Sequence, residues 1–127
     1  MKRSTIALLS IIMVLAVLSG CGRKSGKPDR MSEAYYQFGL KVLEITDEYL
    51  SMSASARDVY YRLDDLEKNA GLPEAFGTGM TGDSTVSTSV SLLMVRLNGV
   101  SLTADYNDVL ESRNSLAEKL NEPAFGK

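Results

Sequence analysis

Histidine and tryptophan are absent from the sequence, and cysteine occurs once, as Cys21. Without histidine the chain lacks the usual general base at neutral pH and the commonest metal ligand. No serine or cysteine therefore has an imidazole to activate it as a nucleophile. One cysteine excludes an internal disulfide, even in a compartment that would permit one. An excess of positive charge is missing too: 14 basic residues stand against 16 acidic ones, which argues against nucleic acid as a partner. The carboxylates Asp47-Glu48 and Asp64-Asp65-Glu67 fall on the polar face of a helical pattern, where solvated charge is their ordinary use. Neither a catalytic residue, a metal site nor a cofactor site emerges, and the expectation is a protein that is not an enzyme.

What is present begins at the first residues. Lys2 and Arg3 precede an apolar run over residues 6–18, broken only by Ser10. A basic start followed by about 13 such residues suits a secretory signal and is short of the roughly 20 that span a bilayer. The run ends in Leu18-Ser19-Gly20-Cys21. An aliphatic residue, two small residues and a cysteine in that order resemble the lipobox of bacterial lipoproteins. The resemblance covers only this segment. It implies cleavage between Gly20 and Cys21, a diacylglycerol on the Cys21 sulfur, and often a further acyl chain on the new amino group. Two or three chains anchor stably where one is marginal. The expected location is therefore the cell membrane or the outer membrane, outside the cytoplasm. In bacteria with two membranes, Gly22 in place of Asp directs such proteins to the outer one. Loss of residues 1–20 leaves 12 basic and 16 acidic side chains, about −4 net.

Residues 21–30 read as a lipidated tether, with Gly22, Ser25, Gly26 and Pro28 and no apolar side chain to pack. Arg23, Lys24, Lys27 and Arg30 cluster beside the lipid. They either meet anionic headgroups, at about 1 kcal/mol each near the surface, or are solvated linker charge.

Residues 31–127 predict an all-α fold, a long antiparallel helical hairpin resembling a coiled coil. Tyr35, Phe38, Val42, Ile45, Tyr49, Met52, Ala56, Val59, Leu63, Leu66 and Ala70 step by three and four. The pattern predicts one helix over about 30–70, roughly 60 Å long. Asp29 or Ser32 can cap its start; Gly71 and Pro73 end it. Asp58–Arg62 and Asp64–Lys68 set acid before base at i,i+4. After a loop over 71–83, a second helix is expected over about 84–121, capped by Asp83 or Ser84 and stopped by Pro123. Val86, Val90, Leu93, Leu97 and Val100 form one stripe. Leu102, Tyr106, Val109, Leu116 and Leu120 form another, shifted by about two positions. Asn98-Gly99 accordingly predicts a helix that is bent or split there. The alternation of Val with Ser and Thr over 85–91 would suit a strand, but a lone strand has no pairing partner. Pairing the helices back to back sets Ala56 near Gly99 and Val100.

Gly77-Thr78-Gly79-Met80-Thr81-Gly82 matches G-x-G-x-x-G, yet no strand precedes it and no P-loop lysine follows. The loop reads as a hairpin tip far from the lipid. A two-helix hairpin leaves apolar side chains uncovered: Tyr36, Leu40, Leu43 and Leu50 on the first helix, beside Tyr106, Leu110, Leu116 and Leu120 on the second. Such a face predicts an interface, with a second copy or another envelope protein. The resulting expectation is a lipid-anchored, non-catalytic helical scaffold or interaction module of the bacterial envelope. The alternative is a small-ligand-binding lipoprotein with a cleft between bundle helices.

Overall fold

The computed structural model describes residues 26–98 and 105–127. The signal segment, Cys21, Arg23, Lys24 and the Gly99–Val100 side of the predicted Ala56 pairing lie outside them. Among the described residues the chain is all-helical, with four helices and no strand: α1 (Glu33–Leu50), α2 (Ala56–Asn69), α3 (Thr81–Asn98) and α4 (Tyr106–Lys119).

The first predicted helix is thus two helices, and the reason is local. Met52 takes a left-handed conformation, φ 63°. Its N–H donates to Tyr49 O (3.0 Å) and the Ser53 N–H to Glu48 O (2.7 Å). This pair of bonds is the Schellman ending of a helix, with methionine where glycine is usual. Five residues past Leu50 the Ser55 hydroxyl accepts from Asp58 N–H (3.1 Å), capping α2. The Ser-x-x-Asp spacing at 55–58 is a helix-start signature; reading the 53–56 run only as small residues misses it. The second predicted helix also divides, α3 ending at Asn98 and α4 starting behind an Asp105 cap. That division accounts for the two-position shift between its apolar stripes. Two further boundaries are narrowed: Ser32, rather than Asp29, caps α1, and α3 starts at Thr81, ahead of both predicted caps.

Contacts at both ends order the helices. Arg62 of α2 meets Glu48 near the end of α1 (2.6 Å), and Tyr35 at the start of α1 donates its hydroxyl proton to Pro73 O beyond α2. The Gly82 N–H donates to Arg30 O (2.8 Å), so α3 starts beside α1. Arg96 near the end of α3 pairs with Asp108 in the first turn of α4 (2.9 Å). Neighbours therefore run antiparallel in an up-down-up-down bundle, in which α1 packs on all three other helices while α2 and α4 do not touch.

This arrangement overturns the predicted interface. Tyr36, Leu43, Leu50, Leu116 and Leu120 are core residues, and Leu40, Tyr106 and Leu110 pack against them half-buried. In a two-helix hairpin these side chains would face outward. Because both helices break, α4 folds onto the back of α1 and covers them from within the same chain. Gly39 permits the closest approach: a Cβ there would lie 2.8 Å from a Leu120 methyl. Val42, Val59, Leu63, Val86, Leu93 and Val109 complete the centre with no exposed surface.

The breaks also relocate the 70–80 loop. It sits at the same end as residues 26–32, not at the far end. We call this the tether end; the 51–55 turn and Asp105 mark the opposite one.

Candidate functional site

The tether end is built from backbone junctions. Arg30 adopts φ 61°, which turns the incoming chain so that Met31 is buried and Ser32 caps α1 by accepting from Tyr35 N–H (3.3 Å). The Ser32 N–H in turn donates to Asp83 Oδ1 (2.7 Å). In a capping box a residue of the same helix takes this N–H; here a carboxylate from α3 does, locking two helix starts together. Gly82 makes the lock possible, because a Cβ there would stand 2.7 Å from Arg30 O and 2.9 Å from Met31 Cβ. Asp83 is fully buried, and its second oxygen has no partner among the described residues. Asp83 thus joins the first turn of α3 to the N-cap of α1. The G-x-G-x-x-G match thus has a packing use at its last glycine.

Of the predicted basic cluster, Lys27 and Arg30 are described and exposed at this end. Lys27 Nζ donates to Met31 O (2.8 Å). Asn121 Nδ2 donates to Gly26 O (3.3 Å), so the tether is already held to the bundle five residues after Cys21. Asp29, Glu33 and Glu74 are exposed at the same end, leaving the described part of this end with no clear excess of positive charge.

On the α1–α4 side, Arg113 is almost wholly buried, with 8% of its side chain exposed. Its Nε and Nη2 meet both oxygens of Asp47 at 2.7 and 2.9 Å, a bidentate pair. Nη1 donates to Pro123 O (2.8 Å), and the Phe125 ring lies below the guanidinium, 5.9 Å to its centroid. Asn114 Oδ1 accepts from Phe125 N–H (2.8 Å). Each guanidinium nitrogen of Arg113 thus donates within the fold, and its role is to latch the C-terminal tail. Asp47 is therefore more than solvated charge; nothing in the sequence spacing reveals a partner 66 positions away. The Asp64–Lys68 pair forms as expected (2.7 Å), whereas Arg62 prefers Glu48 to Asp58, which stands at 4.0 Å.

An open cleft of about 360 Å³ lies between α1, the end of α2 and the 71–75 segment, with Tyr35, Phe38, Glu67, Lys68, Pro73 and Val90 on its walls. Burial, then the nearby Asp83, Glu67 and Glu74 carboxylates, push the Tyr35 hydroxyl above the ordinary tyrosine range. A shallower hollow at the other end runs between Tyr49, Met52, Ser55 and Tyr106. Among the described residues no group of three or more His, Cys, Asp or Glu could hold a metal, and no helix is long and apolar enough to cross a membrane. Set against known protein families, curated proteins and solved structures, the chain matches none of them.

Proposed function

We propose that the chain is a bacterial lipoprotein whose mature part is a small helical bundle, anchored through acylated Cys21 and serving as a non-catalytic interaction module outside the cytoplasm. The observation that carries this reading is Leu18-Ser19-Gly20-Cys21 closing a basic-then-apolar segment. A folded domain that begins within ten residues of Cys21 agrees with it, since such a domain would be held against the membrane surface. A non-catalytic role is supported by a sequence without histidine, whose lone cysteine the anchor would consume. With the predicted apolar face internal, a protein partner would meet side chains such as Tyr61, Leu92 and Val95, which are exposed on α2 and α3.

The test is metabolic labelling of the full chain in a bacterial host with an alkyne fatty acid. Wild type should take the label and lose residues 1–20, while Cys21→Ala should do neither. Equal labelling of both would refute the anchor. The cleft beside Tyr35 favours a second reading, a small-ligand-binding lipoprotein. In that case a phenylalanine at Ser87, which also lines the cleft, would narrow it, and Ser87→Phe would abolish a ligand-induced rise in melting temperature.

A further inference from the structure

Six large apolar side chains are exposed among the described residues: Met52, Tyr61, Phe76, Met80, Leu92 and Val95. Only Phe76 and Met80, 79% and 41% exposed, belong to the tether end. Their loop is tied there at both sides, by the Tyr35–Pro73 bond before it and the Gly82–Arg30 bond after it. It is also internally built. Ala75 is buried, Gly77 N–H donates to Glu74 O (2.9 Å), and the Thr78 hydroxyl donates to Ala75 O (3.0 Å). Phe76 is thus carried, exposed, on an ordered turn beside Ser84, Thr88 and Lys119.

Chain length places a bilayer against it. Five residue steps separate Cys21 from Gly26, a reach of at most about 18 Å when fully extended. Gly26 is fixed to Asn121 at the tether end. An 18-residue helix adds about 27 Å beyond that end. A lipid on Cys21 therefore keeps Phe76 and Met80 close to the membrane, at an effective concentration on the order of millimolar. At that concentration even a weakly inserting aromatic is driven into the interface, where such side chains are favoured. The exposed charges nearby are of both signs, so apolar insertion rather than net charge carries the contact.

We propose that the 74–80 loop is a second membrane contact, with Phe76 and Met80 entering the lipid interface so that the bundle stands end-on with its 51–55 turn outward. This rests on the Cys21 anchor proposed above. Because the chain has no tryptophan, a single substitution makes a clean reporter. Full-length F76W, M80W and M52W chains would be produced in a bacterial host, purified and reconstituted into phosphatidylcholine vesicles with brominated acyl chains. Mass spectrometry would read Cys21 acylation separately, and circular dichroism would confirm helicity. The expected result is blue-shifted, at least twofold quenched emission from F76W and M80W, with M52W unquenched. Acylated chains with F76W and M80W both unquenched would overturn the loop contact and leave the anchor standing. Equal quenching of M52W would overturn the end-on stance, and an unmodified Cys21 would remove the basis of both proposals.

Discussion

The Asp47–Arg113 pair shows how burial divides the cost of a broken interaction. Arg113 keeps 8% of its side chain exposed and Asp47 32%. Removing the carboxylate strands a nearly buried guanidinium, so Asp47→Ala should cost about 3–5 kcal/mol. Removing the guanidinium returns a partly exposed carboxylate to water and frees the tail, so Arg113→Ala should cost less, about 1–3 kcal/mol. Urea unfolding of both variants checks the order, and the reverse order would refute the argument. Three tyrosines give a second prediction. Burial is the main cause that raises the Tyr35, Tyr36 and Tyr49 hydroxyls above the ordinary value of 10.0. Neighbouring carboxylates add to it: Asp83 at Tyr35, Glu122 at Tyr36, Asp105 at Tyr49. The folded state holds these protons where the unfolded chain has begun to release them. Their contribution is complete below pH 10 and is lost as pH rises through the folded values. Melting temperature should therefore fall steeply above about pH 10, and absorbance at 295 nm should show delayed tyrosinate formation until the helices melt.

At the scale of the element, the breaks are encoded by residues that end one helix and start the next. Met52 occupies the left-handed position of the α1 ending while 86% exposed, so it has conformational strain and little packing. Met52→Gly should stabilise the protein by about 1 kcal/mol, against the usual direction for a glycine substitution. A higher urea midpoint with unchanged slope is the expected reading. A lower midpoint would mean that the methionine packs after all. The α4 ending uses the same device with a residue better suited to it. Asn121 has φ 59°, its N–H donates to Glu118 O (3.1 Å), and Glu122 N–H donates to Ala117 O (2.8 Å). Pro123 then prevents continuation.

For the whole molecule, the consequence of four helices is an apolar face covered from within. A two-helix hairpin would need a second copy to bury Leu43, Leu50, Leu116 and Leu120; here α1 and α4 bury them against each other. Residues 22–127, expressed without signal or lipid, should therefore behave as a monomer by multi-angle light scattering. A stable dimer would show that Tyr61, Leu92 and Val95 form an interface of their own.

Local features of this protein were legible in its sequence. The three-and-four spacing of Tyr35, Phe38 and Val42 specifies helix, as does that of Val86, Val90 and Leu93. Gly71 and Pro73 stop α2, and the shifted stripes around Asn98 mark the second division, because periodicity and caps are properties of neighbouring residues. The lipobox resemblance is likewise a matter of consecutive residues. Which apolar face is inside, which end of the bundle the 70–80 loop joins, and that Asp47 finds Arg113 were decided only by tertiary structure. Each depends on the direction the chain takes after residues 51–55, and a five-residue turn reorients everything that follows it.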